Sequence, residues 1–589
     1  MLYSGKLIRN IRTAENIKLT TLARGLCSIG QLARIENGDR SAEKLLFDSL
    51  YERLGKYSGR FTVLVNFDEY EQLRKRLYIY ECIDDGNYEE AQRELDRYKK
   101  HTRNHIHKQF LCLAECEIMH KTGREINECM YKLMEGISYT FADFEIEHIE
   151  EYYLSRMEML LAQQYVRYLE LRGEKSKAIR LYHKIINCLE KERYDRSERD
   201  LLYRHVGYWL MNCYIGNGQY QKAMEIGERT YELTVGVDLL VLLAEIKEGI
   251  IRCREALGEA SAEEYGVLAT LKRMNQRYGV TRAEKFFPRY REGHAVNVNE
   301  VIRQRRIVLG MTQEELAAGI CDVTTISRLE NKRHKLNDTL RVQLLQRLKL
   351  SGDKYISSVD TYDYKVFKKI NRLKDLQTKE KYGELKEIIN EITDEYKLYS
   401  INSKQYMVRV LGSRFVDEYS AEEILRILNL TLPVENCAQG LILFENEWGL
   451  FQTLFRFHSK RGEYEEAEKY FSMLKPAEGE PLTYERNTNY IMYTLGRGDL
   501  LGEKGLVEAA NRDLVSGIRM SVKTDALGWL SSLTYIYAWN VLEKKEHKSD
   551  ADYAECKEML EYSYAFFEIY HNEKGKERIK NLRKKHEID

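Results

Sequence analysis

Residues Leu7–Asn37 read LIRNIRTAENIKLTTLARGLCSIGQLARIEN, and residues Val301–Asn331 read VIRQRRIVLGMTQEELAAGICDVTTISRLEN. The two stretches align without a gap, 294 residues apart, close to half of the 589-residue chain. Ten of the 31 positions are identical: Ile8/Ile302, Arg9/Arg303, Arg12/Arg306, Leu22/Leu316, Ala23/Ala317, Gly25/Gly319, Cys27/Cys321, Arg34/Arg328, Glu36/Glu330 and Asn37/Asn331. Apolar residues recur at helical spacing on both sides of a glycine, which predicts short helices joined by a turn in each copy. A self-similar segment at a fixed offset marks a duplicated architecture.

Working outward, the rest of the chain reads as helix. Only four prolines occur, Pro288, Pro433, Pro476 and Pro481, among abundant Leu, Glu, Lys, Arg and Tyr. With so few breakers the expected fold class is all-α. Lys+Arg and Asp+Glu balance at 93 each, so the whole molecule is no generic polyanion binder. The charge is nevertheless uneven. Residues 1–60 hold 11 basic against 6 acidic side chains, and 296–355 hold 11 against 7. Excess positive charge therefore coincides with the repeated stretch, which suits phosphate contact. The eleven cysteines lack CxxC spacing and predict reduced, mostly buried thiols, hence a cytoplasmic protein. The N-terminal MLYSGKLIRN does not read as a secretion signal, and no run is apolar enough to span a membrane.

Each half reads as a small head followed by a long helical body, with expected boundaries of 1–56 and 295–352 for the heads, and 62–290 and 358–589 for the bodies. The stretch from Phe287 to Asn297 is the expected seam. Within the bodies a turn glycine precedes an alanine by five positions: Gly86 to Ala91, Gly173 to Ala178, Gly218 to Ala223, Gly462 to Ala467 and Gly505 to Ala510. Glycine suits a tight inter-helix turn, and alanine lets the next helix approach closely. The spacing resembles a degenerate tetratricopeptide (TPR) repeat, which implies an α-solenoid with a concave, ligand-binding face. The duplication extends into these bodies. Tyr382 follows Tyr88 by 294 residues, Gly462 follows Gly173 by 289, and Gly505 follows Gly218 by 287. Small deletions in a duplicated array produce such drift.

In the second copy Thr312-Gln313-Glu314-Glu315 has capping-box spacing, and Gly319-Ile320-Cys321 makes a turn. Asp322 is then positioned to cap a helix Val323–Glu330 whose Ile326 and Leu329 face inward, leaving Val323, Thr324, Thr325 and Arg328 outward. In the first copy Ser28 caps, Leu32 and Ile35 face inward, and Ile29, Gly30, Gln31 and Arg34 face outward. These segments resemble the lambda-repressor-like (Cro/CI, XRE-type) helix-turn-helix family over about 55 residues in each half. The resemblance implies recognition helices in DNA major grooves and an internal ion pair, Arg12 with Glu36 and Arg306 with Glu330. Base edges are read mainly by Arg, Lys, Asn and Gln, so Gln31 and Arg34, with Arg328 and the threonines, form a thin reading set. Candidate phosphate contacts are Arg9, Arg24, Arg40 and Lys44 in the first head, and Gln313, Lys332, Arg333 and Lys335 in the second. The first copy has Lys18-Leu19 in place of Thr312-Gln313, and the second has Lys332 where the first has Gly38.

Head plus degenerate repeats, at about 290 residues per half, resembles the Rgg/PlcR-type peptide-sensing regulators, which act as homodimers. The expected molecule is thus a covalent pseudo-dimer that binds double-stranded DNA as a transcription regulator, with a signalling peptide or protein partner in the concave faces. Asn212, Asn217, Asn487 and Asn489 are candidate ligand contacts. The alternative is a protein-interaction scaffold, or a regulator of a protein partner, whose heads no longer bind DNA. His101, His105 and His107 lack a third metal ligand and read as a solvated helix end. No Walker loop, HExxH or nucleophile elbow occurs, so neither enzymatic activity nor a cofactor is expected.

Overall fold

The computed structural model describes residues 3–102, 104–259, 262–279, 294–332, 334–378, 382–396, 400–412, 420–475 and 484–588. They are overwhelmingly helical. The all-α expectation needs one correction: three short strands, β1 (Thr62–Val65), β2 (Ala295–Asn297) and β3 (Tyr355–Ile356), form a sheet in the order β2-β1-β3. All four residues of β1 are buried, and its Thr-Val-Leu-Val run has the β-branched character that suits a pleated, covered strand. By contact the chain divides into two compact units: Met1–Leu54, Ser58–Tyr78 and Gly293–Pro481, and Gly55–Tyr57, Ile79–Glu292 and Leu482–Asp589. This division cuts across both bodies expected at 62–290 and 358–589. Most of the expected seam, through residue 293, lies outside the described residues.

The first unit contains both copies of the repeated motif. The first is built from helices Tyr3–Ala14, Leu19–Ala23, Ile29–Asn37 and Lys44–Arg53. The second is built from Val298–Val308, Gln313–Ala317, Val323–Glu330 and Asp338–Arg347. The sheet lies between them. β1 runs parallel to β2, Leu64 opposite Val296, and antiparallel to β3, Thr62 opposite Ile356. Phe47 stacks on Tyr355 with ring centroids 3.7 Å apart, and Phe61 meets Phe47 edge-on at 5.3 Å. Hydrogen-bonded polar pairs lie in the same unit: the Lys354 ammonium on Glu69, the Ser4 hydroxyl and amide on Asp353, and the Ser41 amide on Asp338. Helix Glu445–Lys460 packs on the second copy through Ile442, Phe444 and a buried ion pair, Arg305–Glu447. The solvent-accessible fractions of that pair are 1% and 2%.

The second unit is a stack of antiparallel helix pairs. The glycines marked by the sequence do what the turn requires: Gly86, Gly173, Gly218 and Gly505 here, with Gly462 in the first unit, all have positive φ, from 70° to 100°. The alanine five positions later is fully buried at every repeat: Ala91, Ala178, Ala223, Ala467 and Ala510. Large rings fill the inter-helix grooves, with Tyr98, Tyr168, Tyr182 and Tyr562 almost entirely covered. One core joins the ends of the two bodies, since Leu240, Leu243, Ile251 and Leu271 cluster with Leu514, Leu530, Leu560 and Phe566.

Candidate nucleic-acid interface

Both copies hold their third helix by the same bonds. Arg12 donates through Nε to Glu36 at 2.6 Å and through Nη1 to the Ile17 carbonyl at 2.8 Å. Arg306 does the same with Glu330 at 2.6 Å and the Met311 carbonyl at 2.8 Å. Each bidentate pair ties the first helix to the end of the third and fixes the loop before the second helix. A further shared lock was missed in the sequence. Arg53, fully buried, donates to the carbonyls of Leu22 and Arg24; Arg347, 294 residues on, donates to those of Leu316 and Ala318. Both arginines satisfy carbonyls that the short second helix leaves without partners. The signal was present as Arg53/Arg347, but it lay beyond the 31 aligned positions.

The third helices present the expected faces. Leu32, Ile35, Ile326 and Leu329 are buried, whereas Arg34, Thr324 and Arg328 are exposed, and Gln31, Val323 and Thr325 are half-buried. Ile29 keeps 50% of its surface open to solvent. Ser28 and Gly30 are exposed beside it. Ser28 accepts from the Gln31 amide at 3.1 Å, as a helix cap should. Thr312 and Glu315 form the reciprocal capping box, and Lys18 makes no side-chain cap.

The expectations for Asp322, Lys44 and Gln313 need correction. Asp322 occupies the cap position with extended backbone, yet its side chain makes no capping bond. The Thr325 amide it would serve already donates to the Asp322 backbone carbonyl at 2.9 Å. Lys44 cannot serve phosphate: it is 2% exposed, paired with Asp48, and its amide donates to Glu69. Gln313 directs its amide to Glu330 at 2.7 Å, which makes it part of the internal lock. Lys332 takes the left-handed backbone (φ 61°) that Gly38 (φ 79°) takes in the first copy, with its ammonium 4.9 Å from the Phe67 ring centroid. Lys335 pairs with Asp68 at 2.8 Å, both side chains well exposed. Arg9 donates to the Asn37 side chain at 3.2 Å, and Arg24 and Arg40 are exposed. Arg333 lies outside the described residues.

Residues 302–354 match the helix-turn-helix family. This helix-turn-helix domain, of the XRE type, contains every recognition-helix residue of the second copy. No curated protein matches the chain. Among solved structures, the chain is similar to PlcR of Bacillus thuringiensis in complex with the peptide PapR7 and DNA, at 15% identity and a TM-score of 0.30, over 48% of this chain and 98% of that one. It is also similar to the TPR-like repeats of a Podosopora anserina kinesin light chain, at 16% identity and a TM-score of 0.25, over 35% of this chain and 95% of that one.

The remaining candidates lie in the second unit. Asn212 and Asn489 are half-buried on helices Arg196–Gly216 and Tyr484–Glu503. Asn217 sits instead at the exposed C-terminal end of its helix, in the turn rather than along an inner face. Asn487 lies on Tyr484–Glu503, and its side chain is outside the described residues. Cys112 and Cys116 are buried, and burial pushes the Cys112 thiol up to about 12, which suits core packing rather than thiolate chemistry. His107 hydrogen-bonds the Tyr98 hydroxyl. Among the described residues no group of three or more His, Cys, Asp or Glu side chains could hold a metal ion, and no helix is long and apolar enough to cross a membrane.

Proposed function

We propose that this chain is a sequence-specific DNA-binding transcription regulator built as a covalent pseudo-dimer, with two helix-turn-helix heads and two TPR-like arrays derived from a tandem duplication. The observation that carries the reading is pairing between duplicated positions. In the first unit Thr62 lies opposite Ile356 in antiparallel register, 294 residues on, the same offset as the repeated motif. Antiparallel pairing of equivalent residues is what a two-fold axis between subunits produces.

The second unit independently supports it. Asp238 and Asp525 are 287 residues apart, the offset of Gly218 and Gly505, and both adopt left-handed backbone, with φ 57° and 60°. The Leu527 amide donates to the Asp238 carbonyl at 2.9 Å, and the Leu240 amide, its equivalent, donates to Asp525 Oδ1 at 2.7 Å. Helices Ala262–Tyr278 and Asp550–Ile569 meet through Arg273–Glu561 and Arg277–Glu555, both 2.5 Å. The two amide bonds run both ways, as at an interface between like subunits, whereas both arginines of the ion pairs come from the first of the two helices.

In this reading the heads enter successive major grooves, with half-site centres about 34 Å apart or a multiple of that. The arrays pair the halves and hold a ligand, of which a peptide is the first choice. The protein works in the cytoplasm and has no enzymatic step or cofactor. The rival, a scaffold or partner regulator with silent heads, draws on the thin base-reading set. Filter binding of random duplex over a salt series separates the two. A regulator shows affinity that falls linearly on a log–log plot as counterions are released. Negligible affinity at low salt for every duplex favours the scaffold.

A further inference from the structure

The two recognition helices agree at their ends and differ between them. The first outward position is aliphatic in both, Ile29 and Val323, and the sixth is arginine in both, Arg34 and Arg328. The second and third positions are Gly30-Gln31 in one helix and Thr324-Thr325 in the other. Gly30 is exposed, and a Cβ built on it would meet nothing within 4 Å, so no packing demands the glycine. Glycine is a poor helix former, and its use on an open helical face is explained where the backbone must approach a ligand closely. Gln31, beside it, has the donor and acceptor needed to bind adenine in bidentate fashion, whereas threonine tolerates several bases and packs on the thymine methyl.

We infer that the operator is a site of broken symmetry. Its two halves are alike where Ile29/Val323 and Arg34/Arg328 reach, as thymine methyl and guanine. They differ where Gly30-Gln31 lies close to the base edges in one and Thr324-Thr325 in the other. Gly30 and Gln31 are the residues that set the difference. This rests on the proposal that both heads read DNA. A duplicated chain is free to diverge in this way, because one copy of the head can change without changing its partner, which a homodimer cannot do.

The test is selection from random duplex by the full-length protein, with sequencing of the retained DNA. The wild type should retain a two-part site with one adenine-containing half and one permissive half. The double substitution Gly30→Thr, Gln31→Thr copies the second helix into the first. It should convert the retained site into two like halves and lose on the order of tenfold affinity for the wild-type operator per altered base pair. The reciprocal variant Thr324→Gly, Thr325→Gln should make both halves adenine-containing. The open space at Gly30 means the first threonine need not be accommodated by the core, and matching thermal unfolding curves would show that the fold is kept. Like halves retained by the wild type would overturn the inference, as would one half-site indifferent to Gly30 and Gln31, and both leave the regulator reading standing. No enrichment of any sequence by the wild type would sink the regulator reading itself.

Discussion

At Lys332 a side-chain-bearing residue holds the left-handed backbone that glycine suits best. A left-handed backbone costs an L-residue about 1–2 kcal/mol, and at this helix end the first copy uses Gly38 for the same conformation. Lys332→Gly should therefore raise stability by about 1 kcal/mol, less whatever the contact with Phe67 contributes, seen as a higher unfolding midpoint. Arg53→Ala should do the opposite. It would leave the buried Leu22 carbonyl and the part-buried Arg24 carbonyl without their donor, at a cost of about 1–3 kcal/mol in denaturant unfolding. Asp338 gives a pH signature. Burial raises its carboxyl, but the Ser41 hydroxyl and amide and the Arg341 guanidinium outweigh this and hold it below the ordinary value. Its stabilisation is present above the unfolded value near 3.9 and is lost as pH falls through the lower folded value. Asp338→Asn should flatten the fall of stability below about pH 4. The outward and inward faces around Ile29, Leu32, Ile326 and Leu329 were legible because helical periodicity is local. Asp322 and Lys44 were misread because capping and burial depend on what else an amide or side chain meets.

Among elements, helix Val298–Val308 is held to helix Glu445–Lys460 by Arg305, which donates to Glu447 through both Nη atoms and to the Ile442 carbonyl at 3.0 Å. Glu447 also accepts from the Thr431 hydroxyl at 2.9 Å. Removing one partner strands a buried charge, so Arg305→Met or Glu447→Gln alone should cost about 3–5 kcal/mol. The double substitution should cost far less than their sum. Additive costs in a double-mutant cycle would show that the two residues do not act as a pair. The first copy has Ile11 at the position of Arg305, so this tie belongs to the second head alone. The repeat turns were legible, because a glycine in a left-handed turn and a buried alanine are short-range requirements met at all five sites. The sheet was not. Its strands are two to four residues long and pair across more than 200 positions, leaving no periodic trace in any one window.

For the whole molecule, the repeated offsets on which the proposed duplication rests were visible in the sequence, and the mostly helical fold followed from composition. How the halves pair was not, because reciprocal bonds such as Leu527 to Asp238 and Leu240 to Asp525 join residues with no local signature. Under the proposed function the thin base-reading set makes joint action of the heads matter, since two weak readers held on one chain would bind as a unit with a high effective concentration. Weakening either head through Arg34→Ala or Arg328→Ala should therefore lower affinity for the full operator well beyond its effect on an isolated half-site. The most direct test is the mass of the complex formed by the full-length protein on its selected operator. A tethered pair of heads predicts one chain per duplex with both half-sites protected from cleavage. Two chains per duplex, each protecting one half-site, would contradict it.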